Sequence, residues 1–206
     1  MATITHQASV LPSMPVSGGG TQSNEFQAAI KSVTSSTDVG AVFLYDTSQD
    51  SDPSWRKRCK GLSWFDEASS ATRSARKDFP AMALIVADTS AGVSVYDLDD
   101  PSVPLWMKFT LNTSYWHNYT ASSVYALNGV LCIGQTPYDL VRVNFPDDNG
   151  IIYAAAAYQK MSIGNIADRN TTGFHSTSVG SGLADRDVND VAMTVLEGAE
   201  LGALGL

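Results

Sequence analysis

Two stretches of the chain echo each other. Residues 45–57 read YDTSQDSDPSWRK and residues 96–108 read YDLDDPSVPLWMK, so Tyr45, Asp46, Pro53, Trp55 and Lys57 recur as Tyr96, Asp97, Pro104, Trp106 and Lys108, 51 positions further on. Self-similarity at a fixed period constrains a fold more than any single motif does. Each copy reads as an apolar strand, a polar turn, and a second strand led by Trp. A second alignment supports the period: 84-LIVAD-88 with 93-VSVYDLDD-100 resembles 131-LCIGQ-135 with 141-VRVNFPDD-148, displaced by 47 to 48 positions.

The rest of the chain fits a ladder of short strands. The candidates are residues 40–46, 54–59, 81–88, 92–97, 104–111, 122–127, 129–134, 138–145 and 151–158, rich in Val, Ile, Leu, Tyr and Phe and separated by Gly, Asp, Pro and Ser. The expected fold is all-β, with β-propeller-like blades of about four antiparallel strands. Residues 39–206 would form this domain, as an incomplete ring, and 190-DVAMTVLEG-198 reads as a further unit starting. The last run, 196-LEGAELGALGL-206, has no closing strand, which leads us to expect the first blades of a longer protein. Residues 1–38 read as an extended arm with a short helix: Asn24 suits an N-cap, and Phe26, Ala29, Ile30 and Val33 share one stripe. Residues 66–79 read as a longer connection with a helical turn, and residues 159–186 as a long polar loop.

Composition narrows the function classes. A net charge of -8 and a pI near 4.6 argue against nucleic acid as a partner, because tracking phosphates needs clustered cations. The one basic cluster, 56-RKRCK-60, reads as a solvated strand end. Two cysteines, Cys59 and Cys132, make no disulfide framework or CxxC site, and no apolar run reaches the about 20 residues of a membrane helix. Asn112, Asn118 and Asn170 open glycosylation sequons, which matter only in a secreted chain.

Catalytic constellations are absent from the sequence pattern. No Gly-x-Ser-x-Gly elbow occurs, the run 16-VSGGGTQ-22 lacks a phosphate-loop lysine, and Glu25, Glu67, Glu197 and Glu200 make no evident acid/base pair. The acidic groups Asp46/Asp50/Asp52, Asp97/Asp99/Asp100 and Asp147/Asp148 lie at turn positions, where a carboxylate caps the chain reversal; calcium is the competing reading. Of the histidines His6, His117 and His175, His117 lies in an aromatic cluster: Tyr115, Trp116, His117 and Tyr119 form a loop that suits contact with a glycan or a partner side chain. No catalytic residue, cofactor or metal is expected.

Residues 48-SQDSDPSW-55 resemble the aspartate box of sialidase-like propellers, with Ser48, Asp50, Asp52, Ser54 and Trp55 in place. That resemblance implies a hairpin staple in which the Asp accepts turn N–H bonds and the Trp packs between blades. It implies no sialidase activity, since the arginine triad of that family has no counterpart here. More broadly, 42-VFLYDTSQDSDPSWRKRC-59, 80-PAMALIVAD-88, 94-SVYDLDDPSVPLWMKF-109, 125-YALNGVLCIG-134 and 188-VNDVAMTVL-196 resemble the opening blades of large tail proteins of tailed phages, notably those of marine bacteria. The resemblance spans about residues 40–196. It implies a virion component in a tail fibre or tail tip, anchored to other tail proteins through residues 1–38, acting in host attachment toward a surface receptor or glycan, and homotrimeric as a fibre. A glycan-binding or glycan-hydrolysing propeller and a protein-interaction platform are the alternatives.

Overall fold

The computed structural model describes residues 30–32, 34, 38–89, 92–110, 120–136, 140–153, 160–170, 175–178 and 188–195. The described chain is all-β in architecture, built as two antiparallel meanders. Strands β1 (Val39–Asp46), β2 (Met82–Asp88), β3 (Gly92–Asp97) and β4 (Leu105–Phe109) form a four-stranded sheet in sequence order. Strands β5 (Thr120–Leu127), β6 (Val130–Thr136), β7 (Leu140–Asn144), β8 (Asn149–Tyr153), β9 (Lys160–Ile163) and β10 (His175–Ser178) form a six-stranded sheet, again in sequence order. Two short helices, α1 (Trp55–Arg58) and α2 (Ser63–Asp66), and a 3-10 turn, Thr47–Gln49, lie in the connection between β1 and β2. A second 3-10 turn, Ile166–Asp168, follows β9.

Alternation along the strands assigns their faces. In β2, Ala83, Ile85 and Ala87 join the main core, while Leu84 and Val86 join a smaller cluster on the other face. Both faces of β2 and β3 are therefore covered, which explains why their sequences read as nearly unbroken apolar runs. The main core also takes Val124, Leu131, Ile133, Val141, Val143 and Ile152 from the six-stranded sheet, and the wedge residues Trp55, Trp64 and Phe79. The smaller cluster contains Ile30, so a helical turn at residues 30–32 lies against the outer face of the four-stranded sheet.

The outer edge of β4 is not bare. Lys108 N–H donates to the Thr72 carbonyl at 2.9 Å and Ser74 N–H to the Trp106 carbonyl at 3.0 Å, so the β1–β2 connection blunts an edge that would otherwise invite pairing. The first strands of the two sheets lie against each other: β1 packs on β5, and a Cβ at Gly40 would collide with the Ala121 carbonyl oxygen.

Three sequence expectations need correction. Residues 159–186, read as a long polar loop, carry β9, the second 3-10 turn and β10, because backbone pairing onto β8 does not require apolar side chains. Residues 54–59 are not a strand: Trp55–Arg58 is a helical turn, whose side chain Trp55 is buried and whose Lys57 and Arg58 point to solvent. Three cationic residues in a row, with a single apolar side chain to bury, favour a turn that sinks only one residue. The 51-residue echo also does not relate one sheet to the next. Tyr45 and Tyr96 end β1 and β3 of the same sheet, and Trp106 lies in β4 whereas Trp55 opens a helix. The second alignment does match equivalent positions, because it sets β2 and β3 against β6 and β7.

Candidate functional site

Residues 47–81, read from sequence as a turn, a strand at 54–59 and a connection, form the wedge between the two sheets, and their polar groups make a hydrogen-bonded network with the turns of the six-stranded sheet. Asp50 is at its centre and is 7% exposed. Its Oδ2 accepts from the Tyr45 hydroxyl at 2.6 Å and the Trp55 indole N–H at 2.8 Å, and its Oδ1 accepts from the Asn128 backbone N–H at 2.8 Å. Tyr45 completes the circuit by accepting from Gly129 N–H at 2.8 Å. Asn128 answers from the other sheet: its Oδ1 accepts from Ser51 N–H at 3.0 Å and Ser51 hydroxyl at 3.1 Å, and its Nδ2 donates to Ser51 Oγ at 2.9 Å.

Local geometry explains why Asn128 and Gly129 occupy the tip. They form the two-residue turn between β5 and β6, with φ of 52° and 75°. Asn-Gly is the pair best suited to two successive left-handed residues in a hairpin. At Gly129 a side chain is also barred by space, since a Cβ would lie 2.8 Å from the Trp55 ring. Burial raises the Asp50 carboxyl above its ordinary range, against the pull of its three donors. Burial, with Asp50 beside it, pushes the Tyr45 phenol far above its ordinary value. With both of its oxygens accepting hydrogen bonds from residues of the two sheets and the wedge, Asp50 acts as a staple.

Two further polar bolts join the same wedge to the six-stranded sheet. Asp148, in the β7–β8 turn at φ 51°, accepts from Ser63 N–H at 2.6 Å, Ser63 hydroxyl at 2.7 Å and Ile166 N–H at 3.0 Å. One carboxylate thus caps the starts of α2 and of the second 3-10 turn, satisfying N–H groups that short helices leave unpaired. The third bolt is ionic. Glu67 pairs with Arg169 at 2.6 Å and lies 3.8 Å from Arg73, both arginine side chains being at most 1% exposed. Arg169 also donates to the carbonyls of Lys108, Thr72 and Ile166, while Arg73 donates to those of Trp64, Trp106, Arg76 and Lys77. Burial lowers the Arg73 guanidinium to about 10, with Glu67 opposing that change. Its carbon sits 4.5 Å from the Trp106 ring centroid, an additional attraction for a desolvated cation.

The residues of the sequence echo divide between these networks. Tyr45 and Trp55 belong to the Asp50 hub, and Asp46 caps the 3-10 turn by accepting from Ser48 N–H at 2.9 Å. Pro53 and Lys57 are exposed. Tyr96 is buried in the smaller cluster, Asp97 pairs with Arg76 at 2.6 Å, and Asp97 N–H donates to the Pro104 carbonyl at 2.9 Å. Trp55 and Trp106 meet on one ring, their centroids 5.2 Å and 4.8 Å from that of Phe79. Lys108 contributes through its carbonyl, which accepts from Arg169 and from Asn170 Nδ2. Asn170 is therefore a clamp on the end of β4, its Oδ1 accepting from Thr110 N–H at 2.8 Å.

The aspartate-box resemblance meets a different geometry. Asp50 takes one backbone N–H, from Asn128 on the other sheet, and two side-chain donors, while Asp52 caps its own turn by accepting from Ser54 N–H at 3.1 Å. The proposed contact loop Tyr115, Trp116, His117 and Tyr119 lies outside the described residues. Sequence reasoning placed Asp148 at a capped turn and Glu67 among acids without a partner, and singled out neither Asn128 nor Arg169; the Asn-Gly pair between two apolar strands was the one signal that could have drawn attention to Asn128.

Cys59 and Cys132 are both buried and free, and burial pushes their thiols up to about 12 and about 11. Neither is poised as a nucleophile at neutral pH. Among the described residues no three His, Cys, Asp or Glu side chains gather as a metal-binding group, and no helix is long and apolar enough to cross a membrane. Comparison with family models, curated proteins and solved structures gives no match for this chain.

Proposed function

We propose that this chain is a structural component of a phage tail, in a fibre or tip, with residues 1–38 joining other tail proteins and the β domain presenting the host-attachment surface. The observation that carries the scaffold reading is the Asp50 hub. Its donors come from both meanders and from the wedge between them, so the buried polar groups are committed to holding two sheets in register. A mechanical element of a particle needs this kind of joint, because satisfied buried networks fix one arrangement.

Sequential strand order in both sheets, with the first strands β1 and β5 packed together, supports reading the meanders as neighbouring propeller-type blades. The tail assignment rests on the resemblance of residues 40–196 to opening blades of tail proteins. The reading is of a non-enzymatic homotrimer in the virion. It is tested by mass spectrometry of purified phage particles and by antibody labelling in electron micrographs. The expected result is the chain at the tail fibre or tip; its absence from intact particles would reject the proposal.

A further inference from the structure

Asn-Gly occurs twice in the chain, at 128–129 and 149–150. This dipeptide is prone to spontaneous deamidation because glycine offers no side chain to obstruct attack at the preceding carboxamide. The backbone nitrogen of the glycine attacks Asn Cγ, a C–N bond closes a succinimide, and ammonia leaves with the amide proton. Water then opens the ring to aspartate or isoaspartate. Neither an oxidant nor an enzyme is required.

The two copies stand in contrasting surroundings. At the first, the attacking group is engaged: Gly129 N–H donates to Tyr45 at 2.8 Å. Its target is engaged too, since Asn128 is 6% exposed and its carboxamide is held by Ser51 through both Oδ1 and Nδ2. Turning that carboxamide toward Gly129 breaks these bonds and separates the hub. At the second, the carboxamide is barely held. Asn149 Nδ2 reaches only the Asp147 carbonyl, at 3.4 Å, and its Oδ1 has no hydrogen-bond partner. Asn149 is also the first residue of β8, half-buried where it pairs with Asn144 to close the β7–β8 turn.

We infer that Asn149 is the deamidation site of the folded protein and that the Tyr45–Asp50–Asn128 hub shields the chemically identical Asn128–Gly129 pair. Conversion at Asn128 would place a new carboxylate beside Asp50 and Asp52. In the isoaspartyl form it would also lengthen the backbone of a two-residue turn that has no room for it. Asn128 is thus a marker for the integrity of the joint between the sheets.

The test incubates the full chain at mildly alkaline pH and follows both peptides by mass spectrometry. In the folded protein Asn149 is expected to convert at least about tenfold faster than Asn128, because Asn128 reacts only from an opened state. In urea the two rates should converge. Tyr45→Phe should accelerate Asn128 by about tenfold, the effect of one buried hydrogen bond, and leave Asn149 unchanged. Ser51→Ala, at an exposed residue, tests the same shield in a protein that keeps its fold by circular dichroism. Equal rates in the folded wild type, or an Asn128 rate unmoved in folded Ser51→Ala, would overturn the inference.

Discussion

Tyr45 donates its phenolic hydrogen to Asp50 across 2.6 Å at the point where the wedge meets the β5–β6 turn. The same tyrosine oxygen accepts from Gly129, so one side chain links the end of β1 to the other sheet. Tyr45→Phe removes a bond to a buried carboxylate and leaves a backbone N–H unpaired. We expect a loss of about 2 kcal/mol, measured by urea denaturation. Asp50→Ala strands three donors at once and should cost more, about 3 to 5 kcal/mol.

Among the described residues Glu67 is the one acid in contact with two buried guanidinium groups. Glu67→Ala should therefore be costlier than an ordinary surface truncation, about 3 kcal/mol or more by thermal or urea denaturation, since uncompensated buried charge is the penalty. Arg169→Lys keeps the charge but cannot reach three carbonyls and a carboxylate with one ammonium group. It should be destabilising too, which would separate the role of geometry from that of charge.

Acid should weaken the fold in part through Asp52. Hydrogen bonds from Arg58 and Ser54 hold its carboxyl at about 2, below the ordinary 3.8. The folded value is depressed, so this contribution is present above 3.8 and is lost as pH falls toward about 2. Arg58 is 58% exposed, so water and salt screen the pair and the contribution is a few tenths of a kcal/mol. Asp50 runs the other way: burial raises its value, so its ionisation weakens the fold as pH rises through the carboxylate range. Asp52→Asn should slightly flatten the acid limb of a stability–pH curve, and 1 M salt should shrink the difference between variant and wild type.

Both cysteines should be silent to a thiol reagent in the native protein at neutral pH, because each is buried and burial holds its thiol up. Titration in urea should then reveal two thiols, matching the two cysteines of the chain. Rapid labelling of either one in the folded state would contradict its packing, with Cys59 Sγ 3.2 Å from the Trp55 carbonyl and Cys132 Sγ 3.6 Å from Met193 Sδ.

Much of the sheet was legible in the sequence, because short apolar runs bounded by turn residues are local signals. Strands β2, β3, β6 and β7 lie where Val, Ile and Leu cluster between Gly and Asp. The wedge was not legible. Trp55, Trp64 and Phe79 are spaced irregularly along residues 47–81, and their common role appears only when two sheets close around them. The echo of Tyr45 and Trp55 in Tyr96 and Trp106 is real in sequence, yet it joins residues of a single sheet, so the spacing could not identify the structural unit. Buried arginines were equally hidden: nothing in a linear sequence tells Arg73 and Arg169, which are sunk against carbonyls and aromatic rings, from Arg58, which is solvated.

The central claim is that the Asp50 hub makes the two meanders one mechanical unit. Native-state hydrogen exchange measures this directly, comparing amides of Ala83–Ala87 in β2 with those of Leu131–Ile133 in β6. The account predicts that both groups open with one common free energy, and that Asp50→Ala lowers both together by the same amount. If Asp50→Ala exposed one sheet while the other kept its wild-type protection, the hub would not be the joint described here.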